Sequence, residues 1–171
     1  PVRHLSALPL LAKEIAKYLE AGIPVDSTKV AVASPDQGGV ERTRLFAETL
    51  GIAETVLVEK KRDLFHKHKT EVVEVSGDVE GKAVIIPDDV IVSGGTILNA
   101  AKALISKGAK RIILAATHAD FIQGTVEKLQ NSPVEKVFVT DTVELTKEQI
   151  FPKLDIISVA GLLADALVKL K

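Results

Sequence analysis

Apolar residues at Leu8, Leu11, Ile15 and Leu19 recur at spacings of three and four, which marks one face of a helix over Leu5 to Glu20. Pro9 fits that helix in its first turn, where a missing N–H costs little, and Gly22 with Pro24 stops it. Lys29 to Ala33 is a short β-branched run and predicts a buried strand. Ser34-Pro35-Asp36-Gln37-Gly38-Gly39 predicts a loop, Val40 to Leu50 a helix ended by Gly51, and Thr55 to Val58 the next strand. Lys60 to Thr70 is polar and irregular. Val72 to Val75 and Ala83 to Ile86 are expected as two strands joined by the turn around Gly77-Asp78 and Gly81. Helices follow over Thr96 to Lys107, Gln123 to Gln130 and Leu162 to Leu170, and strands over Arg111 to Ala116, Lys136 to Thr140 and Ile156 to Val159.

Strands and helices therefore alternate, and most strands are apolar at every position rather than at every second one. That pattern predicts an α/β fold with a mostly parallel sheet, flanked by helices on both faces, plus a small flanking β-hairpin. In such sheets ligands sit beyond the carboxyl ends of the strands. Four loops qualify: 34–39, 60–70, 88–95 and 117–122.

Composition narrows the chemistry. The 171 residues suit one domain, and 46% hydrophobic content is enough for a substantial core. With 22 basic and 23 acidic residues the net charge is −1, which argues against a dedicated nucleic-acid binder. The absence of cysteine excludes disulfides, zinc–thiolate sites and thiol nucleophiles. No apolar run approaches the roughly 18 residues of a membrane span, so no membrane partner is expected, and the expected location is cytoplasmic. Methionine is absent even at position 1, which fits either a removed start or a chain that begins partway through a longer protein.

The richest segment runs from Val84 to Thr96: a buried strand, the carboxylates Asp88 and Asp89, then Val90-Ile91-Val92-Ser93-Gly94-Gly95-Thr96 opening a helix. Gly94 and Gly95 let the backbone turn sharply and approach a ligand. The helix start offers free N–H groups and the positive dipole end, which suit a phosphate. Ser93 and Thr96 add hydroxyls, and Thr96 is expected to cap the helix. Two adjacent carboxylates repel a phosphate. They make sense facing a ribose, accepting hydrogen bonds from vicinal hydroxyls or holding Mg²⁺ through water. Neither G-x-x-x-x-G-K-[ST] nor G-x-G-x-x-G occurs in the chain.

Asp88 to Thr96 resembles the phosphoribosyl-binding loop of the type I phosphoribosyltransferase fold. Within that superfamily the chain is similar to the ribose-phosphate diphosphokinase family, through Pro1 to Leu5, Ser34 to Arg42, Glu59 to Arg62, Gly77 to Lys82, Ala116 to His118, Val139 to Thr142 and Ser158 to Ala160. The resemblance runs the length of residues 1–171, read as a single phosphoribosyltransferase-like domain. It corresponds to the second half of that two-domain enzyme; the first half, which supplies most of the ATP pocket, has no counterpart here. The resemblance implies transfer of a diphosphoryl group from ATP to the 1-hydroxyl of ribose 5-phosphate, giving phosphoribosyl pyrophosphate. It also implies Mg²⁺ and a homo-oligomer, dimer or hexamer, completed by an ATP-binding N-terminal half.

By that resemblance Asp88, Asp89, Val92, Ser93, Gly94, Gly95 and Thr96 hold ribose 5-phosphate, and Asp36 is a magnesium-associated carboxylate. A plainer reading makes Asp36 a helix cap. Lys60 and Arg62 match the catalytic loop, with Arg62 also on the substrate; cations there would neutralise charge during transfer. Lys60 to Lys69 holds five basic residues, and the catalytic reading ranks above a solvated basic loop, with a nucleic-acid patch last because Phe65 is its lone aromatic. His66 and His68 are read as loop surface and His4 as structural. His118, at a strand end, is either a nucleotide or phosphate contact or simply a hydrogen-bonded strand-end residue. The chain departs from the family at Val92, where many members carry aspartate or a hydroxyl, at Ser93 in place of the commoner threonine, and at Pro87. Two other readings remain open from sequence: a stand-alone phosphoribosyltransferase, for which no base-recognition hood is evident, and a non-catalytic regulatory or assembly module.

Overall fold

The computed structural model describes residues 4–20, 24–62 and 71–169. Its centre is a seven-stranded sheet made of β1 (Val30–Ser34), β2 (Val56–Arg62), β3 (Glu71–Ser76), β4 (Ala83–Ile91), β5 (Arg111–Ala119), β6 (Lys136–Thr140) and β7 (Leu154–Ile157). The order across the sheet is β3-β2-β1-β4-β5-β6-β7. Every neighbouring pair is parallel except β2 with β3. The α/β expectation of a mostly parallel sheet flanked by helices holds, and a flanking hairpin is present, formed by β2 and β3.

The inner strands are apolar throughout because helices cover both faces. Val84 and Ile86 point to one side, where they pack with Ile97, Ala101 and Leu104 of α3 (Gly95–Ser106) and Leu129 of α4 (Thr125–Gln130). Ile85 and Ile113 point to the other, against Leu11 and Ile15 of α1 (Leu8–Tyr18) and Phe46 of α2 (Val40–Thr49). Each such fully buried aliphatic side chain stabilises the fold by about 1.5–3 kcal/mol. Pro9 does sit in the first turn of α1. The last helix, α5 (Ala160–Val168), buries none of its residues. Among the described residues no helix is long and apolar enough to cross a membrane.

Three sequence expectations change. β3 and β4 are not partners: β3 turns back onto β2, and β4 lies between β1 and β5. β4 and β5 both run past their expected ends, to Ile91 and Ala119, because they pair with each other along nearly their whole lengths, from Ala83↔Arg111 to Ile91↔Ala119. β2 likewise continues to Arg62, since Lys60 pairs with Val73 and Arg62 with Glu71 on β3. The segment expected as an irregular loop from Lys60 is therefore, through Arg62, the arm of a hairpin. His66 and His68 lie outside the described residues.

Candidate functional site

Parallel strands place their carboxyl ends along one edge, and the sequence-derived candidates collect there. Register fixes their relative positions. Val32 lies beside Ile85 and Ala33 beside Val56, so Val56 is level with Ile86. Counting on, Lys60 is level with Val90 and Arg62 with Val92. β1 ends at Ser34, level with Leu57 and Pro87, so the backbone of both cations, like that of the acid pair, runs past its carboxyl end.

The link from β4 to α3 is only Val92-Ser93-Gly94. Gly94 adopts φ 71° and is the residue flanking the helix start, and the Gly95 N–H meets Ser93 Oγ at a long 3.5 Å. Thr96 lies inside the first turn, so the expectation that it caps α3 is not met. A left-handed backbone at Gly94 takes the flanking place two residues earlier, where a β-carbon would be strained. The next two amides of α3, those of Thr96 and Ile97, have no partner among the described residues and stand in the geometry that receives anions. The Val92 carbonyl is held by Thr125 Oγ1 at 2.7 Å, so this residue contributes backbone to the turn while its side chain is exposed. A cavity of about 170 Å³ opens here, lined by Asp88, Val90, Ile91 and all of Val92 to Ile97.

Asp88 and Asp89 belong to the strand itself rather than to a loop, and each carboxylate is tied down. Asp88 Oδ1 accepts the Asp89 N–H at 2.8 Å, and Asp89 Oδ1 accepts the Val90 N–H at 2.8 Å. Arg42 of α2 spans them, with Nη1 2.5 Å from Asp88 Oδ1 and Nη2 2.9 Å from Asp89 Oδ2. Burial pushes the Asp88 carboxyl up to about 6; its hydrogen bond with Asp89 adds to the rise, and Arg42 only partly offsets it. Partial burial acts the same way on Asp89. There it is outweighed by the bond from Asp88, the Arg42 charge and the Val90 N–H, which hold Asp89 below the usual carboxylate range. The more buried acid is therefore the more basic of the two.

Arg42 is the site residue that sequence reasoning overlooked as a functional side chain. The signal was present: Arg42 falls one turn before the fully buried Phe46, on the same helix face. A charge there requires a partner. Its neighbour Arg44 points outward instead, to Glu41 and Glu48.

Asp36 follows β1. Its Oδ1 accepts the Gly39 N–H at 3.0 Å, so it caps the 3₁₀ turn Gln37–Gly39 that leads into α2. That is the structural half of the reading. Asp36 is also exposed, and its second oxygen has no partner among the described residues. Gln37 Nε2 donates to Glu59 of β2, joining this loop to the hairpin arm. Among the described residues no group of three or more His, Asp or Glu side chains forms a ready metal cage. The donors present suit Mg²⁺, which keeps most of its waters and takes one or two carboxylates together with substrate phosphates. His118 lies within β5, paired with Val90, and its Nδ1 is 2.8 Å from Thr142 Oγ1. It is a hydrogen-bonded strand-end residue at the same edge as the acids.

Gly39 leaves no room for a side chain. A β-carbon there would lie 2.7 Å from Ser34 Oγ and 3.3 Å from Pro35 Cδ, and Ser34 is buried and already donating to the Asp36 carbonyl at 2.7 Å. Gly39→Ala is expected to cost about 1–3 kcal/mol by overpacking. Thermal unfolding should show it as a fall of roughly 3–10 °C for a chain of this size; an unchanged midpoint would mean that the loop relaxes freely.

Comparison with known proteins gives a consistent result. A ribose-phosphate pyrophosphokinase from Aquifex aeolicus is 41% identical over 171 residues, covering 100% of this chain and 52% of that protein. One from Thermotoga maritima is 39% identical over 171 residues, with 100% and 51% covered. The crystal structure of phosphoribosylpyrophosphate synthetase from Mycobacterium smegmatis superposes with a TM-score of 0.85 at 33% identity, covering 99% of this chain and 52% of that one. The chain thus spans about half the length of the curated relatives it matches. The family model described as phosphoribosyl synthetase-associated domain matches residues 54–171, which include β2 and everything after it. On sequence and architecture together, the chain belongs to the phosphoribosyl synthetase-associated domain family.

Proposed function

We propose that the chain is the ribose-phosphate-binding half of a ribose-phosphate diphosphokinase, a single phosphoribosyltransferase-like domain corresponding to the second half of that enzyme. The observation that carries this reading is the junction of β4 with α3. Two tethered carboxylates at a strand end are followed, after the three residues Val92 to Gly94, by a helix start whose amides face a small cavity. An anionic sugar ester has the matching parts in the matching order, hydroxyls for the acids and a phosphate for the amides.

In this reading the first amides of α3, with the Ser93 and Thr96 hydroxyls, hold the 5-phosphate. Gly94 and Gly95 allow its close approach, and Val92 contributes main chain alone. Asp88 and Asp89 accept hydrogen bonds from the ribose hydroxyls and so orient the 1-hydroxyl for in-line attack on ATP. Lys60 and Arg62, on the hairpin arm, neutralise charge on the transferring diphosphoryl group, and Arg62 also reaches the sugar phosphate. Mg²⁺, associated with Asp36 and the substrate phosphates, would supply further neutralisation of that charge. ATP is held mainly by an N-terminal half, in a cytoplasmic homo-oligomer.

Calorimetric titration with ribose 5-phosphate tests the reading directly. Saturable binding is expected, tighter than that of either ribose or inorganic phosphate, because only the ester fills both subsites. Mixed alone with ATP, Mg²⁺ and ribose 5-phosphate, the chain should form little AMP. Brisk turnover would contradict the half-enzyme assignment, and absence of ribose 5-phosphate binding would contradict the site.

A further inference from the structure

Arg42 makes a connection that the substrate reading does not require. It stands on α2, 46 positions before Asp88, yet its two terminal nitrogens go to two different carboxylates, one on each of the adjacent acids. Neighbouring anions repel each other, and a carboxyl that responds by taking up a proton becomes a donor in place of an acceptor. A planar guanidinium between them opposes this and also fixes both side-chain torsions, since each acid is bonded at a second point to a main-chain N–H. Arg42 does not line the small cavity at the start of α3. With both Nη atoms committed to carboxylates, it is poorly placed to bind a phosphate there.

The place of Arg42 is itself prepared. Its Nη1 lies 3.7 Å from where a β-carbon of Gly39 would stand, and Gly39 is held by Asp36. The loop carrying Asp36 therefore forms the wall beside the guanidinium. Arg42 and Asp88 retain only 23% and 22% exposure, whereas Asp89 retains 62% and reaches toward the open edge. A purely architectural ion pair would have no reason to include that exposed second acid.

We propose that Arg42 is a positioning residue for sugar recognition: it fixes Asp88 and Asp89 as a matched pair of acceptors for the ribose hydroxyls and takes no part in holding the phosphate. This rests on the ribose-phosphate reading of the site. It goes further in dividing the site into two subsites that a single substitution can separate.

The test compares two ligands on three proteins. Wild type, Arg42→Gln and Arg42→Lys are titrated with ribose 5-phosphate by calorimetry and with inorganic phosphate by phosphorus NMR, with thermal unfolding as a check on the fold. Arg42→Gln is expected to weaken ribose 5-phosphate by about tenfold or more, the scale of a charged hydrogen bond, and to leave inorganic phosphate within about twofold. Arg42→Lys should recover only part of the loss, because one ammonium cannot serve two carboxylates with fixed geometry. Equal loss for both ligands would make Arg42 a phosphate contact or a general structural support and would overturn the proposal. Unchanged ribose 5-phosphate binding would overturn it as well. Failure of the site reading itself is distinguishable, because it would appear in the wild-type titration as no ribose 5-phosphate binding.

Discussion

Asp88→Asn is expected to weaken ribose 5-phosphate binding by about ten- to a hundredfold while making the unliganded protein more stable at pH 7.5. The loss follows from replacing a charged acceptor by an amide that accepts more weakly and turns a donor toward the sugar; hydrogen bonds to charged groups contribute about 1.5–3 kcal/mol. The gain follows from linkage. The folded protein holds the Asp88 proton up to about pH 6, higher than an exposed aspartate would. Stability from that preference is complete below the unfolded value near 3.8 and is lost as pH rises through 6. Asparagine is uncharged throughout and escapes that loss. The variant's advantage, about 1–2 kcal/mol at pH 7.5, should therefore shrink toward zero near pH 4. Asp89 contributes with the opposite sign, since its folded value is lowered, chiefly by the bond from Asp88; an amide at position 88 can still donate that bond, and Arg42 and the Val90 N–H remain in both proteins. Thermal unfolding at both pH values decides the matter: a variant less stable at pH 7.5 would show that the Arg42 bridge outweighs burial. Sites that trade stability for ligand chemistry commonly behave in this way.

The largest catalytic effect is expected at the hairpin arm. When the chain works with an ATP-binding half, in the full-length protein or in a reconstituted pair, Lys60→Ala should lower turnover by about a thousandfold, as when a charge-neutralising cation is removed from phosphoryl transfer. Ribose 5-phosphate affinity should change less than about threefold, because the lysine acts on charge that develops in the transition state. Arg62→Ala should lower turnover comparably and also weaken ribose 5-phosphate. Quenched-flow measurement of AMP formation beside equilibrium titration separates the two effects. Turnover within tenfold of wild type for both variants would remove the arm from the chemistry and leave its cations as a solvated surface.

The sheet was legible where side chains face protein on both sides. Val84 to Ile86 and Ile112 to Ala116 are apolar at consecutive positions because both helical layers contact them, and a reader of the sequence sees the cause directly. The acid pair was legible as chemistry but not as strand. Asp88 and Asp89 break the apolar run, and what keeps them in β4 is the ladder to β5 and a cation supplied from far away in the chain. Local sequence carries neither. The partner of β3 was missed for a related reason. Proximity along the chain favours β4, whereas parallel pairing with β1 on one side and β5 on the other leaves β4 no free edge. At α3, Thr96 had the chemistry of a cap, but Gly94 had the conformation, and conformation decided. Asp36 carried two readings, and the structure realises the capping one, with no partner for the second oxygen among the described residues.

The continuation of β4 through Asp88, Asp89 and Ile91 has one further consequence. Carboxylates on a surface loop must be immobilised each time a ligand arrives, and that loss of freedom subtracts from affinity. Here the sheet ladder confines the main chain of both acids as soon as the protein folds. On the proposed reading of the site, an arriving sugar meets main chain already set in shape, and the disorder given up on contact is chiefly that of side chains and of the sugar itself.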